Sequence, residues 1–384
     1  MKRRSRLAAA TVAVLAAVLW GASCSIERIA NWTTGAPLPE VSRRAAELHG
    51  SSFVADLHAD SLLWGRDLSR RSTVGHVDLP RLRAGGFGLQ VFTVVTRFPM
   101  TASIERTDPR SPDVITLLAL VHGWPWRTLG SLEERVLHQA AALDRLARAD
   151  GRLVRIRARA DLDRLVAEHE TDPARIGALL GIEGAHALDR PGALDEVFAA
   201  GVRLIGLAHF FDNDFAGSAH GVEKGGLTDR GRALVAEMER RGIAVDLAHS
   251  SESTIRDVLG IATKPPLVSH TGVKGTCDNP RNLSDDQLTA IAAKGGVIGI
   301  GFWNTAVCGD TVADVARAAR YAVDLVGADH VALGSDFDGA VATPFDAAHV
   351  ASLTQALLDA GLAEDSVRAM LGANAVRVLR EVLA

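Results

Sequence analysis

The chain has 384 residues, of which 47% are hydrophobic and 23% charged, and 42 basic against 46 acidic side chains leave a formal net charge of −4. This balance is ordinary for a folded globular protein and excludes a disordered chain and a polybasic nucleic-acid-binding protein. Three cysteines are too few for a disulfide scaffold. The length allows one large domain or two ordinary ones.

The chain begins with a basic segment followed by an apolar run. Four cations lie within residues 1–6, and the next charge is Glu27. This pattern predicts a signal peptide or membrane anchor over residues 1–25, and so an exported, periplasmic or cell-envelope protein. The residues before Cys24 match a bacterial lipoprotein cleavage site imperfectly, so lipidation, a cleaved signal and an uncleaved anchor all stay open.

Residues 26–41 are largely polar and are punctuated by Gly35, Pro37 and Pro39, which predicts a linker ahead of one folded domain at 42–384. In that domain, short β-branched runs alternate with longer amphipathic stretches, which predicts a (β/α)8 TIM-like barrel rather than an open sheet. The predicted strands are Phe53–Asp56, Leu89–Val95, Ile176–Ile182, Arg203–Ala208, Ala244–Ala248, Leu267–Ser269, Val297–Phe302 and Val331–Gly334. The predicted helices are Leu132–Ala149, Asp229–Arg241, Glu252–Leu259, Asp285–Lys294, Thr311–Val326 and Phe345–Ala360.

Reactive side chains follow the carboxyl ends of six of these predicted strands, where the active site of such a barrel lies. Any one histidine could be a hydrogen-bonded core residue, but packing alone does not explain the whole set. The residues concerned are His58 and Asp60, Glu183, His209, His249, His270, and Asp336.

Five of these residues have the chemistry of a metal site. His58 and Asp60 are two residues apart, so at an extended strand end they face the same side and could bind one ion. Glu183 could bridge two ions through its two oxygens, with His249 and His270 on the second ion. Three imidazoles and two carboxylates favour two ions of zinc, or of a similar borderline divalent metal, over Ca²⁺ or Mg²⁺. Two such ions would lower the pKa of a water between them towards neutrality, which predicts a hydrolase.

The motifs resemble those of the membrane dipeptidase (renal dipeptidase) family of zinc peptidases, within the amidohydrolase-like barrels. The resemblance runs from about Phe53 to the C-terminus. It is carried by Asp56-Leu57-His58-Ala59-Asp60, His76-Val77-Asp78-Leu79-Pro80-Arg81-Leu82, Gly181-Ile182-Glu183-Gly184-Ala185-His186, Asp246-Leu247-Ala248-His249-Ser250, Arg281-Asn282 and Gly334-Ser335-Asp336-Phe337-Asp338-Gly339.

The resemblance implies the same five zinc ligands, with Glu183 bridging, and adds substrate roles. It implies that His209 contacts the scissile carbonyl and stabilises the oxyanion, and that Asp336 passes a proton from the attacking water to the leaving amine. It implies that Arg281 pairs with the terminal carboxylate of the substrate. Glu183, His209 and Asp336 are therefore predicted to be catalytic, and His209, Arg281 and Asp336 to contact substrate.

Other polar residues near these motifs are predicted to lie outside the site. Asp338 is explained by the turn that it forms with Gly339, and His186 and His220 are expected to support the site or lie at the surface. His76 precedes the second predicted strand and is therefore assigned to the opposite, stabilising face of the barrel.

The resemblance also implies a disulfide between Cys277 and Cys308, which match paired positions in animal members; two free thiols are the alternative. The stretch at 96–131 is too long for an ordinary βα loop. It could cap the pocket, or it could pack against an outer helix or a partner subunit.

The prediction that results is a binuclear zinc dipeptidase that recognises the free C-terminal carboxylate of small dipeptides. One alternative is another binuclear-metal amidohydrolase reaction, such as hydrolysis of N-acyl amino acids, lactones or phosphotriesters. Another is a non-catalytic exported binding protein. The sequence leaves open the dipeptide and its L or D preference, anchoring in the membrane through the N-terminus, and a homodimer.

Overall fold

A computed structural model describes residues 26–384, and the segment predicted to be a signal or anchor, residues 1–25, lies outside the described residues. Within 26–384, no helix is both long enough and apolar enough to cross a membrane. The strands are β1 Trp32–Thr33, β2 Val54–Ala59, β3 Phe87–Phe92, β4 Leu153–Ile156, β5 Ile176–Ile182, β6 Val202–Gly206, β7 Ala244–Asp246, β8 Leu267–Thr271, β9 Val297–Ile300, β10 Val331–Leu333 and β11 Ala342–Thr343. The α-helices are α1 Arg43–Gly50, α2 Leu79–Ala84, α3 Val114–Val121, α4 Leu132–Ala149, α5 Arg159–His169, α6 Ala193–Ala199, α7 Asp229–Arg241, α8 Glu252–Ile261, α9 Asp285–Ala293, α10 Asn304–Val307, α11 Val312–Val326, α12 Ala351–Asp359, α13 Glu364–Arg368 and α14 Asn374–Val382.

Eight parallel strands close into a barrel. Their order around the ring is β3-β2-β10-β9-β8-β7-β6-β5, and β5 pairs back with β3 to complete the circle. Each of the eight predicted strands overlaps one strand of this ring. The predicted (β/α)8 barrel is therefore confirmed.

The strand β4 was not predicted. It pairs with β5 alongside Ile176–Leu179, while β6 pairs with the later part of β5, so β4 adds a strand beside the ring without entering it. Its four residues include a charged side chain, Arg155, and only the first and last are buried. Such a short, half-exposed segment has too little hydrophobic periodicity to be recognised in a sequence.

The regular elements follow from local chemistry. All seven residues of β5 are apolar or glycine and buried, as expected for a parallel strand covered on both faces. Helix α11 begins with a capping box, in which Thr311 and Asp314 each accept a hydrogen bond from the backbone N–H of the other. Its buried residues Val312, Val315 and Ala319 recur at helical spacing and face the barrel.

Residues 26–41, for which a linker was predicted, contact the loop that follows β10. The strands β1 and β11 pair in parallel, from Trp32 opposite Ala342 to Thr33 opposite Thr343. The side-chain oxygen of Asn31 accepts a hydrogen bond of 2.8 Å from the backbone of Ala340. This segment therefore lies beside the carboxyl ends of the barrel strands.

Candidate metal centre and substrate pocket

The eight residues singled out by the sequence converge at the carboxyl end of the barrel. Each is buried, with at most 8% of its surface exposed. All except His58 line one cavity of about 350 Å³. His58 lies on β2 and His270 on β8, and the others follow the ends of β2, β5, β6, β7, β8 and β10.

The carboxylate of Glu183 lies at the centre of this cluster. Its Oε1 is 3.0 Å from His249 Nε2, 3.3 Å from His270 Nε2 and 3.7 Å from His58 Nε2. Its Oε2 is 3.1 Å from His209 Nε2. Ligand-type atoms of His58, Asp60 and Asp336 form a second group within 4.8 Å of one another. The fold thus brings the predicted ligands into groups that could hold a metal ion.

Ser269, a residue that the sequence analysis did not single out, contacts two of these histidines. Its hydroxyl donates a hydrogen bond of 2.6 Å to the carboxylate of Asp246. Its oxygen lies 3.1 Å from His58 Nδ1 and 2.9 Å from His270 Nδ1. Because the only hydroxyl hydrogen is directed at Asp246, the oxygen accepts from both Nδ1–H groups, and each ring in its neutral form presents an Nε2 lone pair to the cavity.

His220 fixes the tautomer of His249 in the same way. Its Nδ1 lies 2.9 Å from the carbonyl of Ile104 and must donate to it, so its Nε2 accepts from His249 Nδ1 at 3.0 Å. His249 is then left with a lone pair on Nε2. His220, expected from the sequence to support the site or lie at the surface, is fully buried and holds a metal-type ligand in the required tautomer.

Burial and charge set the protonation states in the cluster. Burial lowers the pKa of His209, His249 and His270 well below the ordinary value, so these rings are neutral. Burial also lowers the pKa of His58, but the adjacent Asp60 and Glu183 outweigh it and raise that pKa to about 10. Without a bound cation His58 is therefore protonated, and a cation held by Asp60 and Glu183 could take the place of that proton and leave the ring neutral.

The residues fit a metal centre. His58 Nε2 is buried and has no hydrogen-bond partner among the described residues. Neutral imidazoles with free Nε2 lone pairs, grouped with buried carboxylates, are the ligand set that zinc and similar divalent ions prefer. His249 and Asp336 also have positive φ angles of 59° and 60°, which is uncommon outside glycine and typical of residues held in place for function.

The other predicted substrate residues face the same cavity. Arg281 donates a hydrogen bond of 2.8 Å to the carbonyl of His270, and its guanidinium lies 5.5 Å from the ring of Trp303. The long stretch 96–131 also contributes to the cavity wall, through Phe98 and Ile115 among others. The stretch also packs against the outer helix α4, whose Arg135 donates hydrogen bonds to the carbonyls of Thr96 and Thr128. It therefore both lines the pocket and packs against an outer helix, so its two predicted roles do not exclude each other.

The assignment of His76 to the stabilising face was wrong. Helix α2 lies between this residue and β3, so His76 belongs to the loop that follows β2, on the side of the site. Its Nδ1 accepts a hydrogen bond from the backbone of Asp338 at 3.1 Å. Asp338 is itself fully buried and accepts hydrogen bonds from Ser61 and Arg66, so it anchors this loop.

Cys277 and Cys308 are joined in a disulfide, with their Cα atoms 5.2 Å apart. The bridge connects the loop after β8 to the end of α10, which follows β9. It thus fixes the loop that carries Arg281.

The fold and the converging ligands define a metal-dependent hydrolase built on a (β/α)8 barrel. A family model described as membrane dipeptidase matches residues 42–384. Dipeptidase aclJ of Aspergillus oryzae is 30% identical to the chain over 356 residues, which cover 86% of this chain and 78% of that protein.

Solved structures agree with this assignment. The metallopeptidase called dipeptidase AC is 26% identical, with a TM-score of 0.71 over 87% of this chain and 99% of its own. A metallopeptidase of Rhodobacter sphaeroides, solved with a phosphinate mimic of the dipeptide L-Ala-D-Ala, is 25% identical, with a TM-score of 0.70 over 86% of this chain and 100% of its own. The chain belongs to the membrane dipeptidase family and is a metallopeptidase.

Proposed function

We propose that the protein hydrolyses dipeptides at a binuclear zinc centre and selects substrates with a free C-terminal carboxylate. The observation that carries this proposal is the central position of Glu183, within 3.0–3.7 Å of three imidazole nitrogens. A carboxylate so placed can bridge two cations. His58 and Asp60 would hold one ion, and His249 and His270 the other.

Bound zinc would supply Lewis acidity, which lowers the pKa of a coordinated water and polarises the scissile carbonyl. His209 faces the same space and would donate a hydrogen bond from Nε2 to the carbonyl oxygen as negative charge develops there. Because burial keeps the pKa of His209 well below its ordinary value, the ring donates as a neutral imidazole.

Asp336 would accept a proton from the attacking water at one carboxylate oxygen and deliver it to the leaving amine. Burial raises the pKa of Asp336 to about 8, although the positive charge of His58 partly opposes this rise. A carboxyl group with a pKa near the working pH can both accept and release a proton, which is what this step requires.

Arg281 would bind the substrate carboxylate. One guanidinium nitrogen is fixed by the carbonyl of His270. The planar guanidinium can then present its other N–H groups to both oxygens of a carboxylate.

The test compares a dipeptide with its C-terminal amide, using zinc-loaded wild type, Arg281→Met and Arg43→Met, a control at a side chain that is 92% exposed. Loss of a charge-assisted pair should lower kcat/KM for the dipeptide by about 10- to 100-fold in Arg281→Met, mainly through KM. The amide, already a poor substrate, should change little, and Arg43→Met should match the wild type.

Three results would overturn parts of this proposal. Equal turnover of the dipeptide and its amide by the wild type would refute carboxylate recognition. A metal content near one zinc per chain would refute the binuclear centre. Cleavage of N-acyl amino acids without cleavage of dipeptides would show that the protein catalyses a different hydrolysis from the one proposed.

A further inference from the structure

Residues 26–34, of which 26–30 are helical, precede α1 and contribute to the wall of the pocket; we call this segment the N-terminal strap. Ile26 and Ala30 of the strap line the same cavity as Glu183, Arg281 and Asp336. The strap precedes residue 42, where the match to the family model begins. The pocket therefore has a wall that this family match does not include.

The strap is fixed to the barrel by buried polar contacts. Glu27, only 2% exposed, accepts a hydrogen bond of 2.5 Å from Arg66 Nε, and the same guanidinium pairs with Asp338. The carbonyl of Trp32 lies 3.1 Å from His76 Nε2. These contacts join the strap to the loop after β2, through Arg66 and His76, and to the loop after β10, through Asp338.

The inner face of the strap is apolar. Ile26 and Ala30 pack against a cluster that includes Trp64, Ile115 and Leu118. Trp64 lies in the segment after β2, Ile115 and Leu118 lie on α3 in the segment after β3, and all three also line the cavity. These five residues favour an apolar side chain on the substrate, because none of them carries a charge that could pair with a polar side chain.

The position of the strap determines which end of a dipeptide it meets. Arg281 follows β8, and in the ring β3 is the strand farthest from β8. A dipeptide whose carboxylate is held by Arg281 and whose peptide bond lies at Glu183 therefore extends its amino-terminal residue towards the loops after β2 and β3. That is the side on which Ile26 and Ala30 lie.

We propose that the N-terminal strap contacts the side chain of the amino-terminal residue of the substrate, and that Ile26 and Ala30 restrict it to apolar groups of limited size. This inference rests on the proposed function, because carboxylate binding at Arg281 sets the direction of the dipeptide. The strap is thus a specificity-determining element and takes no part in the chemical step.

The test measures kcat/KM for Gly-Ala, Leu-Ala and Phe-Ala with zinc-loaded protein. In Ala30→Trp the larger side chain should occupy part of the cavity and lower kcat/KM for Leu-Ala by about tenfold or more, while kcat/KM for Gly-Ala should change less than about threefold. Ile26→Ala should shift selectivity the other way, raising Phe-Ala relative to Gly-Ala by about threefold or more. Ile29→Trp is the matched control, because Ile29 lies on the same strap, is 79% exposed and does not line the cavity. In this variant the ratios of kcat/KM for Leu-Ala to Gly-Ala and for Phe-Ala to Gly-Ala should stay at their wild-type values.

Failure of the inference is distinguishable from failure of the proposed function. If the wild type cleaves none of the three dipeptides, the proposed function is wrong, and this inference falls with it. If the wild type cleaves Gly-Ala but the Leu-Ala to Gly-Ala ratio does not fall in Ala30→Trp, the strap does not restrict the substrate. A Phe-Ala to Gly-Ala ratio that does not rise in Ile26→Ala would likewise show that Ile26 sets no limit on side-chain size.

Discussion

The Ser269 hydroxyl has one hydrogen and two lone pairs, and the structure uses all three. The hydrogen goes to Asp246, and the lone pairs accept from His58 and His270. A neutral imidazole has one N–H and one lone pair, so fixing the N–H at Nδ1 fixes the lone pair at Nε2. One serine therefore orients two of the histidines that lie near Glu183 Oε1.

We predict that Ser269→Ala weakens zinc binding by about 10- to 100-fold, the usual effect of losing a group that orients metal-binding histidines. Both rings lose their acceptor and can adopt the tautomer with Nε2 protonated, which cannot bind a metal. Competition with a chromophoric chelator measures the affinity. Far-ultraviolet circular dichroism should show that the fold is retained.

The control for this change is Ser352→Ala. Ser352 is also buried, with 3% of its surface exposed, and its hydroxyl donates to the carbonyl of His349 just before α12, away from the cluster. Its zinc affinity should equal that of the wild type. An unchanged affinity in Ser269→Ala would show that the strands alone orient His58 and His270.

Among the structural elements, the loop after β8 is held by side-chain hydrogen bonds and by the disulfide to the segment around α10. Asn279 donates to the carbonyl of Thr305 at 2.8 Å and accepts from the backbone of Arg281 at 2.9 Å. Asn282 donates to the carbonyl of Cys277 at 2.7 Å. With the disulfide, these contacts fasten the Arg281 loop to the segment around α10.

We predict that the double substitution Cys277→Ser and Cys308→Ser lowers the free energy of unfolding by about 3–4 kcal/mol, because the bridge closes a loop between residues 31 apart and restricts the unfolded chain. Urea unfolding of the wild type and the double variant measures the difference.

Reductant supplies the internal control for the disulfide. Adding it should destabilise the wild type towards the level of the double variant and leave the double variant unchanged. Equal stability of the oxidised and reduced wild type would mean that the loop contacts alone hold these segments together.

For the molecule as a whole, the buried histidines make stability depend on pH. Burial lowers the pKa of His186 to about 3, helped by the nearby cations Arg97 and Arg135. Its ring is 4% exposed and its Nε2 lies 3.1 Å from the hydroxyl of Thr96. In the unfolded chain the same ring titrates at about 6.5.

We predict that acid destabilises the protein through His186. Above pH 6.5 the ring is neutral in both states and pH has no effect through it. As the pH falls from 6.5 towards 3, the unfolded chain binds a proton that the folded state excludes, so stability is lost at up to about 1.4 kcal/mol per pH unit. The loss from this group is about 2 kcal/mol between pH 6.5 and pH 5.

The measurement is the free energy of unfolding at several pH values for the wild type and His186→Gln, which cannot titrate. Other groups contribute equally to both proteins, so the difference between the two slopes isolates His186. The variant should have the shallower slope below pH 6.5. Parallel slopes would show that the folded protein accommodates a charged His186.

The sequence allowed the ring strands to be predicted because their patterns are local. An apolar run such as Ile176–Ile182 is bounded by polar residues, and a reactive residue such as Glu183 follows it directly. The strand β4 was not predicted from the sequence, because Arg155 interrupts an apolar segment of only four residues. His76 was misplaced because the short helix α2 that separates it from β3 was not recognised.

The sequence by itself determined the barrel, the family and the set of side chains that would meet, because strand periodicity and the positions of His, Asp and Glu after strands depend on neighbours in the chain. Only the tertiary structure decided how that set is controlled. Ser269 and His220 contact histidines far away in sequence, and Ala30 of the N-terminal strap lines the same cavity as Glu183. Such hydrogen bonds and contacts exist only once the strands are closed into a ring, and no local pattern records them.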